Sequence, residues 1–291
     1  MHGFLNIDKP AGMTSHDVVA RVRRLLRQKR VGHAGTLDPA ATGVLVVALG
    51  QATRLVEYVQ DETRKRYQAM VRLGVTTTTD DAEGEPLDTA PVPRLDQEQL
   101  EAALTRFRGA IQQVPPMYSA LHHQGQRLYE LARAGQTVDL PARSVHVYEL
   151  HLRELSLPNV VLEIECGKGT YVRSIARDLG AALGCGAHLA ALRRTAVGTF
   201  GIAQALTLEQ LEQAAAAGLA GVQLLPPETA VSDWPQITLD EQQTAYVRNG
   251  RPIALNLIGP RACAYGTSGA LLALLEPIEQ LWKPIKVFDW T

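Results

Sequence analysis

Short apolar runs and segments of helical periodicity alternate through the first part of the chain. The run at residues 4–7 predicts a strand, and a turn rich in Pro and Gly follows it. Beyond Thr14, apolar side chains recur with the helical period, and Asp17 stands at capping-box spacing, which predicts a helix capped by Thr14. An uninterrupted apolar run at residues 44–49 predicts a buried strand, and a second helical pattern covers residues 52–59.

The period of the apolar positions then changes from helical to strand-like. Residues 66–73 alternate polar and apolar side chains, which predicts a half-buried strand with Tyr67 at its start. The acidic, turn-rich stretch at residues 73–88 predicts a loop. The later patterns predict an amphipathic helix at residues 96–110, a short helix at 128–134, long strands at 143–155 and 160–166, and a glycine turn at 167–169 that opens a helix.

A second, smaller domain is indicated near the C-terminus. A capping-box pattern at Thr207 predicts an alanine-rich helix, and two consecutive prolines then interrupt the chain. Short apolar runs follow, separated by turn signals typical of hairpins at Asn249-Gly250, Gly259-Pro260 and Gly266. We therefore expect one large domain at residues 1–230 and a small β domain at residues 231–291.

The composition is that of a water-soluble globular protein, with 46% hydrophobic and 20% charged residues. The N-terminal residues lack a signal-peptide pattern, and no stretch reaches the ~18 apolar residues of a membrane span, so we expect a cytoplasmic protein that does not enter the membrane. Cys166, Cys185 and Cys263 have no C-x-x-C spacing. They are expected to be reduced and buried, and no metal site is predicted.

Charge is segregated along a chain whose net charge is only −1. Residues 1–72 contain twelve Lys or Arg and six Asp or Glu, whereas residues 73–101 contain one Arg and eight acids. Residues 166–194 are basic again, with five Lys or Arg against Asp178 alone. Each basic segment alone is typical of a solvated surface. If the two meet in space, they form a cationic face suited to a phosphate backbone.

The segment GHAGTLDPAATG, at residues 32–43, is the candidate for the reactive part of the molecule. Its glycines and its Asp-Pro step exclude helix and regular strand, so it predicts a loop that leads into the strand after it. Pro39 biases Asp38 away from the α region, and Gly35 and Gly43 permit positive φ or a close approach to a ligand. Asp38 is therefore held at a fixed point, either as a turn-forming side chain or as a reactive carboxylate.

This loop resembles the G-H-x-G-x-L-D-P-x-A-x-G signature of the TruB family of tRNA pseudouridine synthases, and every fixed position is matched. The family's aspartate is catalytic, which implies that role for Asp38. The resemblance also implies that His33 fills the gap left when the target nucleotide is flipped out of the RNA. Lys9 belongs to a Lys-Pro pair that matches as well, and it is expected to support the site from behind.

Three shorter segments match further motifs of the same family. The K-x-Y motif implies that Tyr67 stacks on the target base. The G-x-G-T-Y-[IV]-R motif implies that Tyr171 lines the pocket and that Arg173 pairs with Asp38. The H-L-x-x-L-R-R motif places Leu192 against the base. The resemblance is close to about residue 205 and looser beyond it.

The fold implied by the resemblance is of the α+β class. It has a mixed sheet with peripheral helices and a thumb-like insertion at about residues 110–142, in a catalytic domain at residues 1–230. Residues 231–291 are expected to form a small β domain similar to the PUA domain, which binds RNA. The acidic stretch at residues 73–88 is expected to lie away from the RNA phosphates.

The implied reaction isomerises the uridine at position 55 in the T loop of tRNA to pseudouridine. It needs no cofactor, and the protein is expected to act as a monomer on tRNA without an obligate protein partner. Arg173 would keep Asp38 ionised, and Tyr67 is the candidate to carry the proton lost from C5. Asp38 would either attack C1′ of the ribose or remove the 2′ proton, and both routes remain open.

Two other functions are compatible with parts of the sequence. One is a catalytic subunit that depends on a guide RNA; the intact thumb-like insertion and the lack of long basic tails count against it. The other is a non-catalytic tRNA-binding or tRNA-folding factor in which Asp38 only forms a turn. The joint presence of Asp38, Tyr67 and Arg173 counts against that alternative.

Overall fold

The computed structural model describes residues 1–119, 121–123, 125–136, 138–218 and 224–290. In chain order, the strands before the C-terminal region are β1 (Gly3–Lys9), β2 (Val31–His33), β3 (Thr42–Leu49), β4 (Lys65–Leu73), β5 (Val75–Thr77), β6 (Pro86–Thr89), β7 (Gly109–Gln113), β8 (His122–His123), β9 (Gln126–Arg127), β10 (Arg143–Ser156), β11 (Asn159–Cys166), β12 (Ala187–Val197) and β13 (Phe200–Gly201). The helices are α1 (Ser15–Leu25), α2 (Val56–Glu62), α3 (Gln97–Thr105), α4 (Leu128–Arg133), α5 (Val172–Ala182) and α6 (Leu208–Ala216).

Nine of these strands form one mixed sheet with the order β1-β3-β12-β4-β11-β10-β7; β2 pairs with β3, and β13 pairs with β12. Among the described strands of this sheet, only β12 and β3 run parallel, with Arg194 opposite Gly43. Strand β4 lies in the middle of the sheet, and its side chains alternate between buried and exposed, as the sequence predicts. The Gly32–Gly43 loop starts with the last two residues of β2 and ends with the first two of β3, so the prediction that excludes regular strand from it was wrong at both ends. The parallel contact sets β12 beside the C-terminal end of this loop.

Helix caps were the most predictable local feature. Thr14 is the N-cap of α1, and its side chain and that of Asp17 form the predicted capping box. Thr207 caps α6 in the same way. The predicted helix at residues 52–59 instead consists of a 3₁₀ helix at Gly50–Leu55 followed by α2. With three residues per turn, Ala52 and Leu55 stand on the same side, and both are fully buried.

The helix predicted at residues 96–110 ends earlier than expected, at Thr105. Gly109 takes a positive φ of 82°, and the chain continues as β7, which pairs with β10 in the large sheet. The predicted insertion at about residues 110–142 therefore starts with a strand of that sheet. Its remaining described part contains the short hairpin β8–β9 and helix α4.

The C-terminal region forms its own four-stranded sheet, in the order β14 (Gln236–Thr238), β15 (Ala262–Tyr265), β16 (Leu271–Ile278) and β17 (Leu281–Val287), with helix α7 (Glu241–Arg248) packed against it. The prediction of a hairpin turn at Asn249-Gly250 was wrong. Asn249 caps the C-terminus of α7, and Gly250, with φ of 74°, is the left-handed residue that ends the helix. The turn at Gly266 does join two antiparallel strands, β15 and β16.

One hydrophobic cluster joins the two sheets. Phe4 and Val44 of the large sheet belong to it together with Cys263, Leu274 and Phe288 of the C-terminal region. The three cysteines of the chain are buried free thiols, as predicted. Among the helices in the described ranges, none is long and apolar enough to cross a membrane.

Candidate active site

A pocket of about 1100 Å³ opens where the Gly32–Gly43 loop meets the large sheet. The residues that line it come from distant parts of the chain. Five of the predicted site residues are among them: Asp38, Tyr67, Tyr171, Arg173 and Leu192. The structure thus brings these side chains around one cavity.

The loop that carries Asp38 has the backbone geometry its glycines permit. Gly35 and Gly43 have φ values of 92° and 103°, in the region that favours glycine. A Cβ atom on Gly43 would lie 2.2 Å from the carbonyl oxygen of Arg194 on the parallel strand β12. Gly43 is therefore required for the close approach of β3 and β12 at the end of the loop.

Arg194 holds the loop from the side of the sheet. Its side chain is almost fully buried, and its guanidinium donates hydrogen bonds to the carbonyl oxygens of Val44 (2.7 Å), Gly35 (3.1 Å) and Thr36 (3.3 Å). A buried cation that donates to Gly35 and Thr36 of the loop and to Val44 of β3 just beyond it fixes the path of the loop. In the sequence, Arg194 belongs to the basic segment at residues 166–194 and ends the H-L-x-x-L-R-R motif, and neither feature predicts its contacts with the loop.

Lys9 holds the loop from the other side. Its ammonium group donates to the carbonyl oxygens of Met13 at 2.6 Å, Pro10 at 3.0 Å and Pro39 at 3.1 Å. Burial lowers the pKa of Lys9, while the charge of Asp38 acts in the opposite direction. The bond to Pro39 reaches the residue that follows Asp38, which is the supporting position that the resemblance implies for Lys9.

Arg173 lies between two carboxylates. Its Nη2 atom is 3.1 Å from Oδ2 of Asp38, and its Nη1 atom is 3.3 Å from Oδ2 of Asp81. The same guanidinium donates to the backbone carbonyls of Tyr118 at 2.9 Å and Thr79 at 3.3 Å. Only 7% of the Arg173 side chain is exposed, so its position is set by these four groups.

Opposing effects set the ionisation of Asp38. Loss of solvation within the pocket wall raises its pKa, although 42% of the side chain remains exposed to the cavity. Contact with Arg173 lowers the pKa, and the negative charge of Asp81 raises it. The net direction is upward. Arg173 therefore opposes the effects that favour the protonated form, which is the direction expected from the resemblance.

Asp81 belongs to the acidic stretch at residues 73–88, which was expected to lie away from the RNA phosphates. Part of this stretch forms the wall of the pocket, where Thr79, Asp81 and Glu83 line the cavity. The neighbouring Asp80 pairs with Arg177 of α5 at 2.9 Å. Two of the five acids of this stretch thus neutralise arginines of the basic segment at residues 166–194, a role that charge counts along the chain do not reveal.

Two tyrosines of the pocket are held by different means. Tyr67 lies on β4 between two neighbouring strands, and burial raises the pKa of its phenol, so that the protonated form is favoured at neutral pH. The backbone of Tyr171 is bound by the buried side chain of Gln113, which accepts from its N–H at 2.8 Å and donates to its carbonyl at 3.1 Å. Burial also raises the pKa of Tyr171.

His33 does not line the pocket. Its ring meets that of His16 edge to face, with 5.3 Å between the centroids, and it is His16 that lines the cavity. Burial lowers the pKa of His33 to about 4, and the neighbouring His16 acts in the same direction. At neutral pH the His33 ring is therefore uncharged.

The two basic segments meet at this pocket, but many of their charges are already paired. Arg193 pairs with Asp8 at 2.8 Å, and Arg21 of α1 pairs with Glu212 of α6 at 2.7 Å. The cationic surface is therefore smaller than the sequence count suggests.

Within the described ranges, no group of three or more His, Cys, Asp or Glu side chains is arranged as metal ligands.

Comparison with known proteins places the chain in a family. Residues 23–172 match the N-terminal domain model of the TruB family of pseudouridylate synthases. Residues 173–232 match the C-terminal domain of tRNA pseudouridylate synthase B, and residues 234–289 match the C-terminal domain of tRNA pseudouridine synthase II.

Individual proteins agree with these matches. The chain is 47% identical to tRNA pseudouridine synthase B of Dehalococcoides mccartyi strain CBDB1, over 99% of this chain and 97% of the relative. It is 48% identical to the protein of the same name from Pseudomonas aeruginosa strain UCBPP-PA14, over 86% and 83%. A solved H/ACA RNP bound to a substrate RNA containing 2′-deoxyuridine contains a chain that is 26% identical, with a TM-score of 0.75 over 99% of this chain and 85% of that one. This protein therefore belongs to the TruB family of pseudouridylate synthases.

Proposed function

We propose that this protein converts the uridine at position 55 in the T loop of tRNA into pseudouridine. The observation that carries the proposal is the Asp38 carboxylate, held 3.1 Å from Arg173 in a pocket that Tyr67, Tyr171 and Leu192 also line. The relatives named tRNA pseudouridine synthase B support tRNA as the substrate.

The reaction breaks the N1–C1′ bond of uridine, turns the detached uracil and joins its C5 to C1′. In its ionised form, Asp38 either attacks C1′ or removes the 2′ proton, and both routes help the ribose through an electron-poor stage. Arg173 lowers the pKa of Asp38 and so favours the form that reacts. The contacts that Arg194 and Lys9 make with the loop keep the carboxylate in place for this step.

The proton on C5 must leave after the new bond forms, and N1, which has lost its bond to C1′, must gain one. Tyr67 is the proposed carrier: because its phenol is protonated at neutral pH, it passes its own hydroxyl proton on as it accepts the proton from C5. Tyr67 lines the pocket, and its proposed place is against the face of the uracil. Leu192 and Tyr171 close the wall around the base, so that the free uracil stays in the pocket between the two bond changes. No cofactor takes part in this scheme, because the isomerisation involves no net oxidation or reduction.

The target base becomes accessible only when its nucleotide is flipped out of the folded loop. His33 is proposed to occupy the gap that is left in the RNA, although its ring packs behind His16 in the structure. This role would require the His16–His33 pair to rearrange when RNA binds.

We also propose that the protein has a catalytic domain at residues 1–230 and a PUA-like RNA-binding domain at residues 231–291, and that it acts as a cytoplasmic monomer.

A second candidate function is suggested by two further solved structures. An archaeal box H/ACA sRNP Nop10–Cbf5 complex contains a chain with a TM-score of 0.72 at 27% identity, and a Cbf5–Nop10–Gar1 complex contains one with 0.75 at 26%. Similarity to chains in such assemblies would fit a subunit that works with a guide RNA and partner proteins. The relatives at 47% and 48% identity favour the standalone enzyme.

One experiment separates these possibilities. The purified protein is incubated with an unmodified tRNA transcript, without guide RNA or other proteins, and pseudouridine is mapped nucleotide by nucleotide. The standalone enzyme modifies the uridine at position 55. Absence of product under these conditions, with product formed once a guide RNA and partner proteins are added, would favour the subunit instead.

A further inference from the structure

A second cavity, of about 320 Å³, adjoins the active-site pocket. The two cavities share five lining residues, Asp61, Ser144, Val145, Gly167 and Lys168. Gly167 and Lys168 belong to the glycine turn that precedes Tyr171 and Arg173. A molecule that reaches out of the active-site pocket across this turn would therefore enter the second cavity, which we call the side cavity.

An exposed stack of Arg64 on Tyr148 lines the side cavity, and the ring of His146 leans against Tyr148 at an interplanar angle of 44°. The Arg64 guanidinium lies over the ring of Tyr148, 3.9 Å from its centroid, and the Tyr148 ring lies 4.4 Å from that of His146. Tyr148 is 40% exposed, and 58% of the Arg64 side chain is exposed. Since all three residues belong to the surface, packing of the core does not account for the stack.

The stack is held rigidly to the catalytic part of the fold. Glu165, with only 6% of its side chain exposed, pairs with Arg64 at 2.8 Å and with Arg66 at 2.6 Å. The N–H of Gly167 donates to the carbonyl of His146 at 2.8 Å, which ties the stack to the glycine turn. The Arg64 guanidinium is thus fixed by an ion pair at its edge and by an aromatic ring on one face.

The charges around the side cavity favour stacking over simple attraction of phosphates. Lys168 lies 3.8 Å from Asp61, and Glu62 pairs with Arg261, so the cavity has acids as well as bases at its rim. A flat, preoriented guanidinium supported by an aromatic ring is a surface on which an unstacked nucleic-acid base binds well.

We propose that the side cavity binds an unpaired nucleotide next to the target uridine, with its base stacked on the Arg64 guanidinium. This inference rests on the proposed function, because it assumes that an RNA occupies the active-site pocket. The exposed ammonium group of Lys168, at the boundary of the two cavities, stands where the phosphate between the two nucleotides would pass. The contact adds binding energy for the substrate and takes no part in the bond changes.

The first test replaces the ring that supports Arg64. Tyr148→Ala should raise KM for the tRNA transcript about tenfold, since one base stack is worth roughly that factor in affinity. Its kcat should stay close to that of the parent, because the contact is made equally before and during the reaction. Tyr148→Phe keeps the ring and should behave as the parent does. Arg64→Gln removes the guanidinium by a surface change and should match Tyr148→Ala.

The control is Arg153→Ala. Arg153 is also an exposed arginine with an acidic partner, Glu163 at 3.5 Å, but it does not line either cavity. Loss of a general surface charge would affect both arginine variants alike. An unchanged KM in Tyr148→Ala and Arg64→Gln, or an equal rise in Arg153→Ala, would overturn the proposal.

A second test removes the base instead of the protein group. Two transcripts carry an abasic nucleotide, one directly 5′ and the other directly 3′ of the target uridine. With one of these transcripts, Tyr148→Ala should not raise KM above the value of the parent enzyme, because the base that would stack on Arg64 is missing. With the other transcript, Tyr148→Ala should raise KM as it does with the intact transcript. Undiminished effects of Tyr148→Ala on both transcripts would overturn the proposal. The parent enzyme on the intact transcript tests the proposed function separately.

Discussion

Replacing Asp81 with asparagine tests whether the second carboxylate on Arg173 tunes the first. The change keeps the shape of the side chain and removes its charge, while the Oδ1 contacts with Thr79 and Glu83 can be kept by the amide oxygen. Asp81 raises the pKa of Asp38 and occupies Nη1 of Arg173. Without that charge, the pKa of Asp38 should fall, because the repulsion disappears and Arg173 is left with one carboxylate.

The size of this effect follows from the geometry. Both carboxylates contact the same guanidinium, at 3.1 and 3.3 Å, so their oxygens are separated by less than about 9 Å. Because Asp38 is partly exposed, the effective dielectric constant should lie between about 20, the value for charge pairs near a protein surface, and about 80, the value for bulk water. With a value of about 40, the repulsion is about 1 kcal/mol, or somewhat less than one pKa unit.

The assay is the single-turnover rate of pseudouridine formation as a function of pH. If ionised Asp38 is required, the acid limb of the profile should move to lower pH by about half to one unit in Asp81→Asn. The plateau rate should also fall, because Arg173 loses one of the groups that position it. Glu83→Gln removes a charge from the same stretch without a contact to Arg173, and it should shift the limb much less. A limb that stays in place or moves to higher pH in Asp81→Asn would refute this reasoning.

Three further predictions concern the loop, the base and the RNA surface. Gly43→Ala should lower the free energy of unfolding, measured by chemical denaturation, by roughly 3 kcal/mol or more, because backbone strain and a backbone clash combine. Gly12 also has a positive φ but has open space around it, so Gly12→Ala should lower the free energy of unfolding by only about 1 kcal/mol. Tyr67→Phe should fold and bind tRNA yet react far more slowly; a rate equal to the parent's would reduce Tyr67 to a stacking surface. The exposed side chains of Arg24 and Arg27 should contact tRNA phosphates. Replacing both with Ala should then make the slope of log affinity against log salt concentration shallower by about one unit per lost phosphate contact, and an unchanged slope would contradict this role.

The sequence predicted the parts of the site that short motifs encode. Asp38 sits in a loop whose glycines and proline restrict the backbone, and Tyr67 is the third residue of a strand with clear alternation, so local rules located both. Arg173 was paired with Asp38 only by family resemblance, since nothing in the spacing of two residues so far apart fixes their distance. The structure brings the two into contact.

Other features depend on how distant segments meet, which local patterns do not report. Asp81 reaches Arg173 because the turn between β5 and β6 folds over α5, and Arg194 reaches the loop because β12 runs parallel to β3. At Asn249-Gly250 the difficulty is local. The same residue pair that favours a hairpin turn also favours a helix C-terminus, because both require positive φ, and only the packing of α7 against its sheet decides between them.

The central claim is that the charge of Asp38 carries out the chemistry, and Asp38→Asn tests it most directly. The measurement is pseudouridine formation at position 55 of an unmodified tRNA transcript, together with the affinity of the same variant for that tRNA. The account predicts turnover at background level with nearly normal binding, because the amide keeps the shape of the side chain and loses its charge. Turnover near that of the parent would contradict the account, and a loss of binding as severe as the loss of turnover would favour a tRNA-binding factor instead.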